Sequence, residues 1–408
     1  MKIIHTSDWH LGQNFYNKSR KHEHESFLNW LIKLVKQQNI DAVLVAGDIF
    51  DTGTPPSYAR LLFNQFVVKL NALNIQLVIL GGNHDSISTL SESRDLLACL
   101  NTSVIAGVTE KIEDQIIDIT NQKGEVLGLV CAIPFLRPQQ ILSSEAGQTG
   151  SEKRKSLQQA ITDYYHLSFQ QAEKRKKQLK LNIPIIATGH LTTIGAKVSD
   201  SVRDIYIGTL ETFSSNNFPP ADYIALGHIH SSQMVSKNQH MRYSGSPIAL
   251  SFDELNVRKS VLKVSFEGDK LIQVDEIEIP IFQKIISISG DLTEIEKQIN
   301  ALIKENDKTT EIWLDIEVDD QEYWHDLIDQ VNKMVGDCSF EILKLSRKSN
   351  KVQQVLGAEY QESLHELIPT DVFTKKLSSI DELKSVPKKQ LLNAFQIIID
   401  ELELNENN

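Results

Sequence analysis

Nine polar residues at the ends of apolar runs are the side chains of this sequence best suited to chemistry on a phosphate. They are Asp8, His10, Asp48, Asn83, His84, Asp85, His190, His228 and His230. All except His84 and Asp85 present imidazole, carboxylate or amide donors that suit Mn, Fe, Zn or Co, without choosing between these metals. Seven donors are too many for one ion and suit two. Two ions about 3.5–4 Å apart hold a phosphoryl group, stabilise the attacking and leaving oxygens, and lower the pKa of a bound water.

The separate motifs indicate a metal site only weakly, but the set indicates it strongly. Asp8 and His10 lie two residues apart after a short strand, so on an extended backbone they point to the same side and can share an ion. An isolated Asp-x-His or Gly-His pair is more often an ordinary strand end. Five such strand ends in one chain favour a shared site. Asp48, in the middle of the first three motifs, is the expected bridge between two ions.

The stretch Gly81-Gly-Asn-His-Asp85 follows a buried strand and gives neighbouring side chains different roles. The two glycines let the backbone turn sharply. Asn83 is a candidate ligand, so His84 is expected to face the substrate, where it stabilises charge or protonates the leaving alkoxide. Asp85 either holds the ring of His84 or stabilises the turn, and the sequence leaves both interpretations open.

Alternating strands and amphipathic helices must position the first three motifs. Strands are predicted from Ile3, at Asp41–Ala46 and at Ile75–Leu80, and helices at His22–Gln38 and Pro55–Leu73 separate them. Such strand–helix repeats predict parallel strands in a right-handed α/β unit. Polar residues beyond the carboxyl ends of parallel strands gather at one edge of the sheet, so we expect the motifs to converge.

Two further strands precede the remaining motifs. Ile183–Thr188 leads to His190, and Ala221–Leu226 leads to His228 and His230. Between the two halves, the sequence predicts short strands with a hairpin at Asn121–Gly124 and a long helix at Ser151–Lys180. The basic clusters at 153–155 and 174–177 on that helix are either a solvated face or a contact with a phosphate backbone.

The pattern changes near residue 280, which predicts three domains: 1–280, 281–346 and 347–408. Residues 281–346 alternate as β-α-β-α-β and form a small α/β module. After a polar linker the chain ends in short helices. The apolar stripe on the helix after Pro387 must pack against its own domain or against a partner.

Composition favours a globular protein of several domains and selects no partner. The 408 residues are 41% hydrophobic and 24% charged. The net charge of −12 comes almost entirely from residues 281–408, because residues 1–280 contain 28 basic and 29 acidic residues. Overall acidity therefore neither supports nor excludes a nucleic acid. No apolar run reaches the roughly 20 residues that span a bilayer, so we expect no membrane segment. The N-terminus has no signal-peptide pattern, and the three cysteines are scattered. We therefore expect a cytoplasmic protein.

The order of the motifs carries a family resemblance. Residues 5–230 resemble the calcineurin-like metallophosphoesterases because they contain, in the order of that family, the motifs Asp-x-His, Gly-Asp, Gly-Asn-His-Asp, Gly-His and Gly-His-x-His. The longer runs Thr6–Gly12, Ala46–Gly53 and Gly81–Asp85 resemble, within that superfamily, the SbcD family of nuclease subunits in bacterial DNA double-strand-break repair. The resemblance implies a β-sandwich flanked by helices, a capping domain at 281–346, and C-terminal helices that dock on an SbcC-type ATPase.

The resemblance also implies roles for the site residues. One ion would be held by Asp8, His10, Asp48 and His230, the other by Asp48, Asn83, His190 and His228, and His84 would be the catalytic acid. The implied ions are Mn²⁺, with Mg²⁺ as the alternative. The implied activities are ATP-dependent 3′→5′ exonuclease on duplex DNA ends and endonuclease on single strands and hairpins, by a homodimer within a heterotetramer. Some archaeal relatives have histidine at the position of Asp51, so a role in exonuclease activity is not carried over to that residue.

Two alternative functions stand beside this one. The first is another enzyme of the same fold, a protein phosphatase or cyclic-nucleotide phosphodiesterase. Protein phosphatases of this fold typically have Gly-Asp-x-Val-Asp-Arg-Gly and Gly-Asn-His-Glu, whereas this chain has Gly47-Asp-Ile-Phe-Asp-Thr-Gly53 and ends its third motif in Asp85. The second is a catalytically silent scaffold that binds DNA or a partner, and the presence of all seven ligands together with His84 opposes it.

Overall fold

The structure is a computed structural model, and it describes residues 1–142, 150–194, 196–199, 201–202, 212–305, 311–319, 324–336 and 338–347. The predicted linker and C-terminal helices, beyond Arg347, lie outside the described residues, so their docking on an ATPase stays a prediction. Within the described ranges, no helix is both long enough and apolar enough to cross a membrane.

Helices and strands alternate through the described part of the chain. The helices are α1 (Lys21–Gln38), α2 (Ser57–Asn71), α3 (Ile87–Ser91), α4 (Arg94–Ala98), α5 (Pro138–Ile141), α6 (Gly150–Leu179), α7 (Leu292–Glu305) and α8 (Trp324–Val335). The strands are β1 (Lys2–Thr6), β2 (Asn14–Phe15), β3 (Lys18–Ser19), β4 (Ala42–Val45), β5 (Gln76–Leu80), β6 (Thr102–Ile105), β7 (Ile116–Thr120), β8 (Val126–Cys131), β9 (Ile185–His190), β10 (Tyr223–Gly227), β11 (Gln233–Val235), β12 (Asn238–Tyr243), β13 (Ser260–Glu267), β14 (Lys270–Glu278), β15 (Lys284–Gly290), β16 (Ile312–Val318) and β17 (Phe340–Arg347).

The two helices of the first half form where the apolar spacing predicts them. α1 buries Phe27, Leu31 and Val35 on one face and ends where Asn39 takes a left-handed backbone with a φ of 52°. α2 follows Pro56, whose ring presets the backbone for a helix start. The predicted hairpin is also confirmed, because the amide of Gly124 donates to the carbonyl of Asn121 at 2.9 Å.

Two six-stranded sheets contain the strands that carry the motifs. The first has the order β14-β13-β1-β4-β5-β6, and the second has the order β11-β12-β10-β9-β8-β7. Strands β1, β4, β5 and β6 run parallel, as the strand–helix repeats predict. In the second sheet β9 is parallel to both β8 and β10. Each sheet therefore brings its motif-bearing strands to the same edge.

The sheets face each other and are covered on their outer sides by helices. In β1, Ile3 packs between the sheets with Ile186 of the second sheet, whereas Ile4 packs against α1 residues such as Phe27. This alternation is the period of two of a strand buried on both faces. The long helix α6 covers the outer face of the second sheet, with Ile161 in that core. The predicted β-sandwich flanked by helices is confirmed.

His5 connects the two sheets and is a buried histidine with no place in the motifs. Its Nε2 donates to the carbonyl of Leu226 at 3.2 Å, and its Nδ1 accepts from the hydroxyl of Tyr223 at 3.0 Å. Burial lowers the pKa of His5 to about 3, so the ring is neutral. Hydrogen bonds of this kind each contribute about 1 kcal/mol. They join the end of β1 to the end of β10, the strands that precede Asp8 and His228.

The predicted β-α-β-α-β module has its own sheet and core. Its strands β15, β16 and β17 are parallel, and α7 and α8 cover them with Ile295 and Leu327. Asp291 and Glu294 form a capping box at the start of α7, each side chain accepting from the other's backbone amide. Trp313 of the module stacks on Phe15, with ring centroids 6.4 Å apart. The division into domains at residue 280 stays a prediction.

Candidate metal centre

The loops after the motif-bearing strands meet at one edge of the sandwich, as the sequence predicts. The loop after β1 runs beside the loop after β4, because the amide of Asp8 donates to Gly47 at 3.0 Å and that of His10 to Asp48 at 3.1 Å. The backbone amide of His228, after β10, donates to Asp8 Oδ1 at 3.0 Å. This last bond joins the polar loops of the two sheets directly.

Three groups of potential metal ligands result, and one of them, His10, Asp48 and His84, overlaps the other two. The first ligand group is Asp8, His10 and His230, and the second ligand group is Asp48, His190 and His228. Within each group the candidate ligand atoms lie within 4.8 Å of one another, and all six residues are buried. These two groups contain six of the seven candidate ligands, and Asn83 is the seventh.

Asp48 lies between the groups and contacts both. Its Oδ2 is 3.1 Å from Nε2 of His190 and 3.6 Å from Nε2 of His10. Its Oδ1 accepts from the backbone amide of His84 at 2.9 Å. Asn83 belongs with the second ligand group, because its Oδ1 is 2.9 Å from Nε2 of His190 and 3.2 Å from Nδ1 of His228. The placement of Asp48 is the one that a bridging carboxylate requires.

The charges of the centre fit the binding of cations. Burial alone would lower the pKa of His10, but its hydrogen bond to Asp51 and the charge of Asp48 raise that pKa to about 9. Burial is likewise overcome at His190, where Asp48 raises the pKa to about 9. The same histidines hold the pKa of Asp48 well below its usual range despite its burial. Buried carboxylates thus attract protons onto imidazoles, and divalent ions displace such protons when they bind.

Two histidine nitrogens without hydrogen-bond partners also indicate that the centre binds cations. Nε2 of His10 and Nε2 of His228 are buried and have no hydrogen-bond partner among the described residues. A buried polar atom without a partner costs about 1–3 kcal/mol, so in a native site it has a reason to be there. Coordination of a metal ion is such a reason, and the donor set of imidazole and oxygen atoms suits it.

Four candidate ligands have an unusual backbone conformation. Asp8, His10, Asp48 and His228 have φ values of 53°, 45°, 50° and 90°, in the left-handed region that residues other than glycine seldom adopt. Such conformations cost of order 1–3 kcal/mol each and persist where the surroundings hold them. The spacing of the motifs gives no sign of this strain.

The glycines beside the ligands are required by space, and Gly47 also by its backbone φ of 95°. A Cβ on Gly82 would lie 2.1 Å from Oδ1 of Asp48, and one on Gly47 would lie 2.1 Å from Nδ1 of His190. Gly82 does not have a positive φ, so the predicted sharp turn is not the reason for glycine there. Glycine at these positions lets the backbone approach the ligand side chains.

His84 and Asp85 have separate supports. Nδ1 of His84 donates to the backbone carbonyl of Asp51 at 2.8 Å. The carboxylate of Asp85 instead accepts three backbone amides, those of Gly82 at 2.9 Å, Phe50 at 3.0 Å and Ile49 at 3.1 Å. Of the two interpretations of Asp85, the contacts match stabilisation of the turn and of the neighbouring loop.

Asp51 and Glu254 support the centre and are absent from the predicted ligand sets. Oδ1 of Asp51 accepts from Nδ1 of His10 at 3.1 Å. Oε1 of Glu254 lies 3.2 Å from Nδ1 of His230. Asp51 could have been suspected from its place three residues after Asp48. Glu254 carries no such signal, because it lies in a short turn remote from every motif.

The basic cluster at 174–177 is partly engaged in ion pairs. Arg175 pairs with Asp118 at 2.7 Å, and Lys176 lies 3.7 Å from Asp269. Both acids belong to the same sandwich. These contacts support the interpretation of this cluster as a solvated helix face.

The facing sheets and the grouped Asp, Asn and His side chains resemble those of a metallophosphoesterase, and the family models assign the chain to that class. The family model described as calcineurin-like phosphoesterase matches residues 1–232, the part that contains every predicted ligand. A second model, described as the type 5 capsule protein repressor C-terminal domain (SbcD_C), matches residues 281–379.

Relatives narrow the class further. The SbcD subunit of the nuclease SbcCD of Escherichia coli (strain K12) is 46% identical over 395 residues, which is 97% of both chains. The protein of the same name in Bacillus subtilis (strain 168) is 32% identical over 334 residues, 80% of this chain and 78% of its own. Among solved structures, a dimetal phosphatase from Danio rerio aligns over 68% of this chain and 99% of its own with a TM-score of 0.38 and 12% identity. On the family models and the sequence relatives, the chain belongs to the SbcD family of calcineurin-like phosphoesterases, which confirms the resemblance drawn from the motifs.

Proposed function

We propose that this chain is a nuclease subunit that hydrolyses DNA phosphodiester bonds at two divalent metal ions. The observation that carries the proposal is the meeting of two ligand groups around the shared carboxylate of Asp48. The relatives are named as SbcD subunits of the nuclease SbcCD, and this name supports DNA as the substrate. The identity to the Escherichia coli subunit extends over 97% of the chain, including the module at 281–346 that a phosphoesterase of small diesters would not need.

The first ion would be held by Asp8, His10, Asp48 and His230, and the second by Asp48, Asn83, His190 and His228. The contacts of Asp48 and Asn83 described above support this division. When bound, the ions supply Lewis-acid stabilisation of the phosphate and lower the pKa of a water. Mn²⁺ is the metal proposed for both positions, with Mg²⁺ as the alternative. This choice follows the SbcD resemblance, because a mixture of four imidazoles and three oxygen donors does not by itself select the metal.

His84 transfers a proton to the leaving oxygen of the DNA. Its Nδ1 is occupied by the carbonyl of Asp51, so Nε2 is the nitrogen that exchanges the proton. The backbone amide of His84 is anchored on Asp48, which keeps the imidazole beside the ions. A positioned general acid of this kind contributes typically 10²–10⁴-fold to the rate.

The finer activities follow the SbcD resemblance. They are ATP-dependent 3′→5′ exonuclease on duplex ends and endonuclease on single strands and hairpins, in DNA repair, replication and recombination. The C-terminal helices bind an SbcC-type ATPase, and the chain works as a homodimer within a heterotetramer.

The test is a cleavage assay on hairpin, duplex and single-stranded DNA of the same sequence, with Mn²⁺ or Mg²⁺, with and without the ATPase and ATP. We expect Mn²⁺-dependent cleavage of all three, with cleavage of duplex ends dependent on ATP. The matched control is His84→Gln, which should keep both metal ions by elemental analysis and cleave at least 10²-fold more slowly.

Absence of cleavage under all conditions, with metal bound, would contradict the proposal. Hydrolysis of phosphopeptides or cyclic nucleotides by such a preparation would favour the alternative enzymes of this fold. Loss of metal in His84→Gln would make His84 a ligand and contradict its role as the acid.

A further inference from the structure

Glu254 is a fully buried carboxylate surrounded by donors. It lies on the short helical turn Phe252–Glu254 and has no exposed surface. Oε2 accepts from Nζ of Lys259 at 2.6 Å and from the amide of Leu250 at 3.0 Å. Oε1 accepts from the hydroxyl of Ser199 at 2.9 Å. A buried carboxylate is tolerated when it is paired and hydrogen-bonded in this way.

One contact of Glu254 reaches the metal centre. Its Oε1 lies 3.2 Å from Nδ1 of His230, and the hydroxyl of Ser201 lies 2.6 Å from that same nitrogen while donating to Glu254. Because an ionised carboxylate can only accept, Nδ1 of His230 carries the proton. The other ring nitrogen, Nε2, is then the one offered to an ion beside Asp8.

The backbone of His230 is held by the same cluster. Nζ of Lys259 donates to the carbonyl of His230 at 3.0 Å and to the hydroxyl of Ser246 at 2.8 Å. The amide of Ser246 donates to the same carbonyl at 3.1 Å. Glu254 and Lys259 therefore hold the ring and the main chain of His230 together.

We infer that Glu254 is a positioning residue for the first metal ion, which it acts on through His230. This inference rests on the proposed two-ion centre. A carboxylate on the distal nitrogen of a ligating histidine fixes its tautomer, orients the ring and raises its basicity, and loss of such a partner typically costs 10–100-fold in metal affinity. His190, in the second ligand group, has the backbone carbonyl of Ala46 in the corresponding role at 2.9 Å. The effect of Glu254 is therefore confined to one of the two ions.

A purely structural role of Glu254 predicts a different effect of its substitution on the affinities of the two ions. If the Glu254–Lys259 pair only stabilised the fold, its removal would lower stability and leave the affinities of both ions unchanged or weaken them together. Breaking one member of a buried pair also leaves the other charge uncompensated. The experiment must therefore separate folding from selective metal binding.

The test is calorimetric titration of Mn²⁺ into the full chain without DNA, with Mn²⁺ electron paramagnetic resonance as a second readout. Glu254→Gln should bind one ion as the wild type does and the other 10–100-fold more weakly. Asp253→Asn is the matched control, since it changes an exposed carboxylate to an amide on the same turn. It should bind both ions with wild-type affinity.

The double variant Glu254→Gln/Lys259→Met removes both charges of the pair, so it remains informative if the single variant fails to fold. It should show the same selective weakening. Wild-type affinity for both ions in either folded variant, or equal weakening of the two ions, would overturn the inference while the proposed function stands. Binding of fewer than two ions by the wild type would instead overturn the proposed centre and this inference with it.

Discussion

The two ligand groups differ in what holds their histidines. In the first ligand group, side-chain carboxylates support the rings, Asp51 at His10 and Glu254 at His230. In the second ligand group, His190 is held by the main-chain carbonyl of Ala46. A main-chain support is part of the strand and loop geometry, whereas a carboxylate can be changed by one substitution. In the proposed two-ion centre, this difference means that single substitutions of the supporting side chains should change the affinity of the first ion more than that of the second.

The largest loss of metal binding and activity is expected at Asp48, because its carboxylate contacts histidines of both ligand groups and cannot affect one ion alone. Asp48→Asn removes the charge that contacts His10 and His190, so both ions should be weakened and activity should fall on the order of 10³-fold or more. Metal content by elemental analysis and hydrolysis of a chromogenic phosphodiester measure the two effects. Full turnover by this variant would contradict the two-ion centre.

A smaller and asymmetric effect is expected at Asp51. Asp51→Asn keeps the backbone carbonyl that orients His84 and removes only the charge behind His10. One ion should bind roughly 10-fold more weakly, and the other should be unaffected. Titration with Mn²⁺ in the absence of DNA measures both affinities. Equal loss at both ions would mean that the side-chain support is not specific to the first ligand group.

The smallest effect concerns His5, which joins the two halves without touching an ion. Its pKa is lowered to about 3 in the folded protein and is about 6.5 when unfolded, so the unfolded chain binds more protons and stability falls as the pH drops below 6.5. Between pH 7 and pH 5 this histidine should remove about 2 kcal/mol of stability. His5→Gln lacks this contribution, so the stability difference between wild type and variant should narrow by that amount in urea unfolding at the two pH values. A difference that stays constant with pH would contradict the neutral state of His5.

The elements and ligands that were predictable share a local signal. Residues close together in the sequence determine the apolar period of α1, the ends of the strands, and the Gly-Asp and Gly-His motifs. The parallel direction of the strands follows from the strand–helix repeats. The predicted module at 281–346 was recognisable for the same reason. The different roles given to Asn83 and His84 rest on their adjacent positions in a turn, and the role of His84 stays a prediction.

The features that escaped prediction depend on contacts between distant segments. Glu254 meets His230 across a turn whose sequence has no motif, and His5 meets Tyr223 across two sheets. The crowding of Gly82 against Asp48 is likewise visible only when the loops are assembled. Such tertiary contacts leave no period or spacing in the chain from which they could be inferred.

The left-handed backbone at four candidate ligands has an evolutionary consequence. Each of these positions holds a conformation that costs stability, and His10 and His228 also have a buried nitrogen without a hydrogen-bond partner among the described residues. In the proposed centre, metal binding compensates for these costs. Selection for stability alone would replace these residues, because most proteins lie just above the stability they need. A descendant of this chain that kept its fold and partners but no longer needed to cut DNA would therefore gain stability first at Asp8, His10, Asp48 and His228, and would lose its ligands before its core.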